Sequence, residues 1–205
     1  MIKKVCSRLL AAMLLAFTVY LSLPAGDASA GRYSDYAAGL NQNPPEGSKF
    51  RPDLEAMLAD LANGYRSEKG RKPLTADDEF IIAARAHAAD MMLHDFVGHR
   101  ASTGQDFDSR MRSFVDDITR FPAMAENAAR DSQKTPVDAA KVRSLFQQWV
   151  KSSGHRRTLT SRNYAYVSTG VIQRGNKIWA VQIFWATPRD KGMFPKAAPA
   201  ISISQ

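Results

Sequence analysis

The sequence predicts an α+β domain in which helices and paired strands form separate layers. Between residues 54 and 154, apolar residues recur at the three- and four-residue spacing of amphipathic helices. From residue 164 onward the chain is instead rich in Val, Ile, Thr and aromatic residues, which favour strands. Runs of helix followed by paired strands are typical of α+β folds and not of alternating βαβ units. We therefore expect one layered α+β domain.

Four helices are predicted from their apolar positions. In chain order these are Leu54, Met57, Leu58, Leu61 and Tyr65; Phe80, Ile81, Ala84, Ala88 and Met91; Phe107, Met111 and Phe114; and Val142, Leu145, Phe146, Trp149 and Val150. Capping residues give the predicted starts, which are Thr75 with Asp78 as a capping box, Asp106, and Thr135 before Pro136. The predicted ends are Gly70, a position near Asp95, and Gly154.

A β-hairpin is predicted to follow the helices. Residues 164–172 and 177–185 have the composition of strands, and Gly175-Asn176 between them favours a tight turn. Several large aromatic residues occupy periodic or alternating apolar positions, namely Phe146, Trp149, Trp179, Phe184 and Trp185. We expect them to pack in the core. A lipid-binding cleft would instead need several of them exposed around a concave surface.

The segments on either side of the domain, which we place at residues 53–187, have a different composition. Residues 31–52 are rich in Gly, Asn, Pro and Ser and are predicted to be a linker. Residues 188–205 include three prolines and are predicted to be a loosely ordered tail.

The first thirty residues have the plan of a secretory signal peptide. Basic residues at Lys3, Lys4 and Arg8 precede an apolar stretch at residues 9–23, and Ala28-Ser29-Ala30 forms a small-residue cleavage site. The apolar stretch is short for a membrane span, so we expect no stable transmembrane segment after cleavage. The one cysteine, Cys6, would be removed with this peptide, so the mature domain must be stable without disulfides. We predict a secreted or periplasmic protein.

Composition limits the classes of partner. Cleavage after Ala30 would leave 175 residues, enough for one domain with a sizeable core, and would lower the formal charge from +8 to +6. A basic exported protein favours anionic lipids or cell-wall polymers as ligands, although a modest positive charge also serves solubility alone. Export argues against nucleic acid as a partner, and we expect a monomer.

Two histidines and one glutamate are the strongest candidates for a functional site. The tripeptide Gly-His-Arg occurs at residues 98–100 and again at 154–156, each time after a predicted helix. Each histidine should therefore lie just past a helix end. Glu126, the only glutamate after Glu79, lies between them. Two imidazoles and a carboxylate are a common ligand set for a catalytic zinc, which lowers the pKa of its bound water.

Several alternative interpretations compete with a zinc site. Arg100 and Arg156 directly follow the two histidines, and their positive charge opposes the binding of a cation. A Glu–His hydrogen bond that only fixes the loop geometry is therefore an alternative interpretation of equal standing to a metal site. His87 and His94 lie on nearly the same face of one predicted helix, with Asp90 between them, which could suggest a second metal site. We expect instead that His87 is held by a local hydrogen bond and that His94 is a surface histidine in the last turn of the helix. Ser102, Ser152 and Ser153 lie near histidines, yet no nucleophile-elbow motif accompanies them.

A set of ordered motifs resembles one known family. The motifs are residues 61–66 (LANGYR), Pro73-Leu74, residues 86–91 (AHAADM), residues 96–99 (FVGH), residues 126–129 (ENAA), residues 149–156 (WVKSSGHR) and Thr169-Gly170-Val171. Their order and spacing are similar to those of the bacterial branch of the CAP superfamily, the cysteine-rich secretory protein and pathogenesis-related-1 domains. The resemblance covers about residues 54 to 186.

The resemblance implies a single three-layer α–β–α sandwich with a cleft that binds zinc in some members. Matched residue by residue, His99, Glu126 and His155 would line that cleft. Animal and plant members place a further histidine on a later strand and use a second glutamate, and residues 164–172 contain neither here. The resemblance therefore implies a reduced set of His99, Glu126 and His155.

Three functional hypotheses follow. In the first, the chain is an exported binding protein whose His99–Glu126–His155 cleft holds a divalent metal such as Zn²⁺, or an anionic or lipid ligand. In the second, it is a metal-dependent, peptidase-like hydrolase with His99 and His155 as ligands and Glu126 as third ligand or general base. In the third, it is a structural envelope protein whose polar cleft only stabilises the fold. All three stay open, because fold resemblance alone does not fix function.

Overall fold

A computed structural model describes residues 25–193 and 202–203, in which helices and strands come in the following order. The helices are α1 (Ala25–Gln42), α2 (Pro52–Glu68), α3 (Ile81–Leu93), α4 (Phe107–Arg112), α5 (Ala139–Lys151) and α6 (Ser153–Thr160). The strands are β1 (Ser48–Phe50), β2 (Thr75–Ala76), β3 (Ala123–Asp131), β4 (Tyr166–Arg174), β5 (Lys177–Ala186) and β6 (Ser202–Ile203). Short 3₁₀ helices cover Ile118–Arg120 and Pro188–Met193.

The strands form one sheet in the order β1-β4-β5-β3-β6, with β2 paired in parallel to the start of β4. Strands β4 and β5 are the predicted hairpin, and Arg174 pairs with Lys177 across its two-residue turn. Gly175 in that turn has φ +56°, the left-handed backbone that such turns require and that glycine adopts without a steric penalty. The hairpin prediction is confirmed.

Alternate residues of β5 face opposite helical layers, because successive side chains of a strand point to opposite faces of the sheet. One face carries Trp179, Val181, Ile183 and Trp185, which pack with apolar residues of α3 and α4. The other face carries Ile178, Ala180 and Phe184, which pack with residues of α2 and α5. The aromatic residues predicted to be in the core are buried. The chain is therefore an α–β–α sandwich, as predicted.

The positions of two helices were predicted correctly from their apolar residues. The first predicted helix is α2, with Leu54 and Leu58 buried against the sheet. The short helix is α4, and the Asp106 side chain accepts a hydrogen bond from the Ser109 N–H, as expected of an N-cap.

The predicted capping box at Thr75 and Asp78 is wrong. Thr75 belongs to β2, and its N–H donates to the Ala165 carbonyl just before β4. Helix α3 begins at Ile81, and the Phe80 N–H donates instead to the Ser168 hydroxyl on β4. Pairing with a neighbouring strand, which sequence does not reveal, satisfied backbone groups that a local cap would otherwise have served.

The boundaries around the second Gly-His-Arg motif also differ from the prediction. Helix α5 begins at Ala139 with Asp138 as its cap, not at Pro136. It ends at Lys151, because the extended backbone of Ser152 interrupts the helix, and Gly154 lies inside the next helix, α6. His155 is therefore in the first turn of α6, whereas His99 follows α3 as predicted.

The segment predicted to be a linker, residues 31–52, contains the end of α1 and all of β1. Tyr33, Ala37 and Leu40 lie on one face of α1 and are buried, because the spacing of these three residues suits a helix despite the polar composition around them. Strand β1 pairs with the end of β4. The predicted tail likewise includes the 3₁₀ helix at Pro188–Met193 and β6, which pairs with β3.

Most of the predicted signal peptide, residues 1–24, lies outside the described residues, so the signal peptide remains a prediction. Within the described part of the chain, no helix has the length and apolar character needed to cross a membrane.

The close contact between α3 and β4 makes a first test of the fold. A Cβ built on Gly170 would lie 2.3 Å from the Arg85 backbone nitrogen and 2.4 Å from the Ala84 carbonyl carbon. We expect Gly170→Ala to lower the free energy of unfolding by about 1–3 kcal/mol or more, because backbone must move to relieve the overlap. Urea denaturation measures this change.

Gly64→Ala is the matched control. A Cβ on Gly64 meets nothing within 4 Å, and Gly64 lies in α2. We expect that variant to be as stable as the wild type or more stable by up to about 1 kcal/mol, because alanine favours helix over glycine. Equal effects of the two substitutions would contradict the close packing at Gly170.

Candidate functional site

His99 lies in the loop after α3, and buried side chains hold that loop by its backbone. The Nε2–H of His87, on α3, donates to the Gly98 carbonyl at 2.7 Å. A terminal nitrogen of Arg110, on α4, donates to the His99 carbonyl at 3.1 Å. Because a carbonyl only accepts, neutral His87 carries its proton on Nε2. The ring of His99 itself is 15% exposed, so it borders solvent while its backbone is fixed from inside.

Asp90 fixes the same loop a few residues later. Its carboxylate accepts hydrogen bonds from the Ser102 N–H at 2.9 Å, the Ser102 hydroxyl at 2.5 Å and the Tyr36 hydroxyl at 2.8 Å. Asp90 is fully buried on α3. Ser102 is thus a polar loop residue, as predicted, because its hydroxyl is committed to Asp90.

Glu126 extends from β3 into the layer that contains α3 and α4, and it is 1% exposed. Its Oε1 accepts from the Nδ1–H of His99 at 2.9 Å. The Nη2 of Arg110 donates to both carboxylate oxygens, at 2.9 and 2.8 Å. The Nε2 of His87 lies 3.7 Å from Oε1. The carboxylate is therefore surrounded by donors, and it fixes the tautomer of the His99 ring.

Arg110 is the functional residue that the sequence analysis missed. It lies on the buried side of α4, between Phe107 and Met111, and is itself fully buried. Its guanidinium group lies 5.6 Å from the centre of the Phe107 ring. A charged residue inside the apolar stripe of a short helix is the signal that could have indicated a buried ion pair.

Glu126 stays ionised in the folded protein. Burial acts to raise the pKa of its carboxyl, but the nearby Arg110, His87 and His99 outweigh burial and lower the pKa to about 2. For His87, burial and then the charge of Arg110 lower the pKa to about 4, so the ring is neutral near pH 7. The result is one carboxylate and one guanidinium buried together beside the neutral imidazole of His87.

His155 approaches His99 from the other helical layer. Their ring centres lie 6.2 Å apart at an angle of 62°. The side-chain amide of Asn127 donates to the His155 carbonyl at 3.3 Å. Burial and the neighbouring His99 lower the pKa of His155, whereas Glu126 acts in the opposite direction. The structure thus brings the two predicted histidines side by side, with Glu126 in contact with one of them.

The geometry limits how a metal could be held. Across residues 25–193 and 202–203, no group of three or more His, Cys, Asp and Glu side chains is arranged to hold a metal ion. Glu126 does not fit as a direct ligand, because Arg110 and His99 already engage its oxygens. It does fit as an outer partner, since metal-binding histidines commonly donate their second ring N–H to a carboxylate.

The remaining candidates lie away from this pair. His94 ends α3 with a half-exposed ring 3.6 Å from Asp90, which agrees with its prediction as a surface histidine. The Arg100 guanidinium donates to the Gly104 carbonyl, and that of Arg156 donates to the Val150 and Lys151 carbonyls. The two arginines that follow the histidines are therefore bound to loop and helix-end carbonyls.

The sequence is similar to one known family and to known proteins. A model of the CAP family, described as the cysteine-rich secretory protein family, matches residues 59–184. The protein YkwD of Bacillus subtilis (strain 168) is 32% identical over 129 residues, which are 62% of this chain and 46% of YkwD. The membrane protein YlbC of the same organism is 24% identical over 126 residues, 62% of this chain and 34% of YlbC. The chain thus spans less than half of either curated relative.

Solved structures show the same fold. An extracellular protein containing an SCP domain from Bacillus anthracis str. Ames has a TM-score of 0.53 at 24% identity, with 68% of this chain and 45% of that chain covered. An outer surface protein from Borrelia burgdorferi has a TM-score of 0.57 at 14% identity, with 68% of this chain and 98% of that chain covered. At these identities the likeness concerns the fold alone.

The buried ion pair can be tested by removing one or both charges. Arg110→Met should lower the free energy of unfolding by about 3–5 kcal/mol, because it leaves the Glu126 carboxylate buried without its counterion. The double variant Arg110→Met/Glu126→Gln should recover most of that loss, since neither charge remains. Urea denaturation of the three proteins gives the comparison. A double variant no more stable than Arg110→Met would contradict the buried-charge explanation.

The lowered pKa values predict loss of stability in acid. An unfolded histidine takes up its proton near pH 6.5, whereas folded His87 resists protonation until about pH 4. Stability should therefore fall as pH falls through this interval, by on the order of 3 kcal/mol. Glu126 adds a further loss as pH falls from 4.5 toward 2, because its folded carboxyl has the lower pKa. Urea denaturation at a series of pH values measures both slopes.

His87→Gln assigns the upper part of this dependence. Glutamine can still donate to the Gly98 carbonyl but does not titrate. Between about pH 6.5 and 4.5, the free energy of unfolding of this variant should therefore depend on pH only as much as His155 makes it. A steep slope that persists in His87→Gln would show that another group is responsible.

Proposed function

Because the chain belongs to the cysteine-rich secretory protein (CAP) family, we propose that it acts outside the cytoplasm as a binding protein whose ligand is held at the His99–His155 pair. The observation that carries this proposal is the hydrogen bond from His99 Nδ1 to a buried, ionised Glu126. A carboxylate used in this way orients an imidazole for a ligand and makes it a better electron donor.

A divalent transition metal such as Zn²⁺ is the ligand that this chemistry favours. Neutral imidazoles are the form that binds such metals, and the pKa of His155 is lowered by burial and by His99. One ring nitrogen of His99 and one of His155 would hold the ion, with Glu126 as the outer partner of His99. Bound there, the ion would supply Lewis acidity to whatever occupied its remaining positions. Two protein ligands predict weak and reversible binding.

Hydrolysis is less well supported than binding. A general base works best when its pKa lies near the working pH, and the pKa of Glu126 is lowered to about 2. Its carboxylate is also occupied by Arg110 and His99. The alternative in which Glu126 activates a water molecule therefore has no observation in its favour.

An anionic or lipid ligand is the second candidate. The exposed Arg156 and Arg157 follow His155 on α6, and the mature chain has a formal charge of +6 if the signal peptide is removed at Ala30. Positive charge beside a cleft raises the local concentration of anions. A lipid ligand predicts a lipid that is purified together with the protein and is retained after His99→Ala.

Calorimetric titration with zinc tests the metal proposal. The wild-type protein should bind zinc saturably, and His99→Ala/His155→Ala should not, because both proposed ligands are absent. Glu126→Gln should bind roughly 10- to 100-fold more weakly, as expected when the outer partner of a ligand loses its charge. His94→Ala is the control for histidines outside the pair and should bind like the wild type. Equal binding by the wild type and the double variant would overturn the proposal.

A further inference from the structure

A separate cavity lies at the other end of α6 from His155. It has a volume of about 410 Å³, within the range of small-molecule sites. Its lining includes Arg66, Arg71, Lys72, Arg162, Tyr164 and Asp190. The side chains of the histidine pair are not part of it, so a role for this cavity does not depend on the function proposed above.

The lining carries far more positive than negative charge. Four of its residues are cationic, and Asp190 is the one carboxylate among the described residues that form it. The single negative charge of Asp190, whose carboxylate accepts hydrogen bonds from the Thr187 N–H at 2.8 Å and the Thr187 hydroxyl at 2.7 Å, offsets only one of the four positive charges. The cavity is therefore strongly electropositive.

Arg66 is the buried member of this group, with 2% of its surface exposed. Its guanidinium donates to three backbone carbonyls, those of Lys72, Leu159 and Ser161, each at 2.8 Å. Among the described residues, no carboxylate forms a salt bridge with it. Burial, followed by the nearby Arg71, lowers the pKa of Arg66 to about 10, so the charge remains at neutral pH.

Arg71 adds a second charge beside the same carbonyls. Its Nε donates to the Thr160 carbonyl at 2.8 Å. The carbonyls of residues 159–161 end α6, and the partial negative charge of a helix C-terminus offsets part of the two positive charges. Carbonyl groups carry no net charge, however, so the hydrogen bonds of the two arginines leave the excess positive charge of the cavity in place. A bound anion would offset this excess charge.

Tyr164 gives the cavity a neutral polar wall. The residue is 5% exposed, and burial raises the pKa of its hydroxyl to about 12. The hydroxyl therefore keeps its proton at neutral pH, and a second negative charge does not compete with a bound anion. A hydroxyl in this form can donate a hydrogen bond to an anion.

We propose that this cavity binds a phosphate group, with Arg66 and Arg71 as its buried and half-buried cations and Arg162 at its exposed side. Guanidinium groups present paired N–H donors that match the oxygens of a phosphate, which makes arginine well suited to this anion. The group could belong to a soluble phosphate compound or to the headgroup of an anionic lipid. Both sources present the same oxygens to the arginines.

The test uses the exported protein at low ionic strength and two probes, inorganic phosphate and vesicles of phosphatidylglycerol compared with vesicles of phosphatidylcholine. Binding of phosphate is measured by calorimetry and binding of vesicles by co-sedimentation. Arg71→Gln/Arg162→Gln removes two cations from the cavity while glutamine can still donate to the Thr160 carbonyl. Arg120→Gln/Lys134→Gln removes the same charge from exposed positions elsewhere. Thermal unfolding confirms that both variants fold.

Saturable binding of either anionic probe by the wild type, weakened roughly tenfold or more in the cavity variant and nearly unchanged in the matched control, would support the site. Saturation by phosphate would identify a soluble source, whereas binding to phosphatidylglycerol vesicles that phosphate does not displace would identify a headgroup. Equal losses in the two variants would show that net charge alone attracts anions and would overturn the proposal. Absence of binding to both anionic probes in the wild type would overturn it as well.

Discussion

The buried contact of Glu126 with Arg110 is the interaction on which the site depends. A carboxylate and a guanidinium that are both fully buried require each other, because either alone would be a charge without solvent or partner. The same Arg110 nitrogen reaches the His99 carbonyl, and the same carboxylate reaches the His99 ring. One ion pair therefore fixes both the backbone and the side chain of His99.

Strand β3 links the two helical layers through neighbouring residues. Glu126 and Asn127 point to opposite faces of the sheet, because side chains alternate along a strand. Glu126 contacts the layer of α3 and α4, where it holds His99. Asn127 donates to the His155 carbonyl of α6 in the opposite layer. The pairing of the two histidines is thus a consequence of one dipeptide at the centre of the sandwich.

Helix α6 connects two chemically different regions. His155 in its first turn lies beside the His99 ring, next to a buried ion pair whose two charges offset each other. The carbonyls at its other end face Arg66 and Arg71, whose charges have no carboxylate partner among the described residues. Metal chemistry suits the first environment and anion binding suits the second, so the two proposals do not compete for the same groups.

The sequence by itself determined the layered class, helices α2 and α4 and the β4–β5 hairpin, because these follow from periodicity and turn residues, and its ordered motifs singled out His99 and His155 as candidates. It did not reveal β3, whose small residues carry no clear alternation, or α1 within a polar segment. It also left Glu126 as a candidate ligand, since the partner that neutralises it, Arg110, comes from a separate helix. Only the tertiary structure decided that role, because burial and the distance between charges are properties of packed elements and not of local sequence.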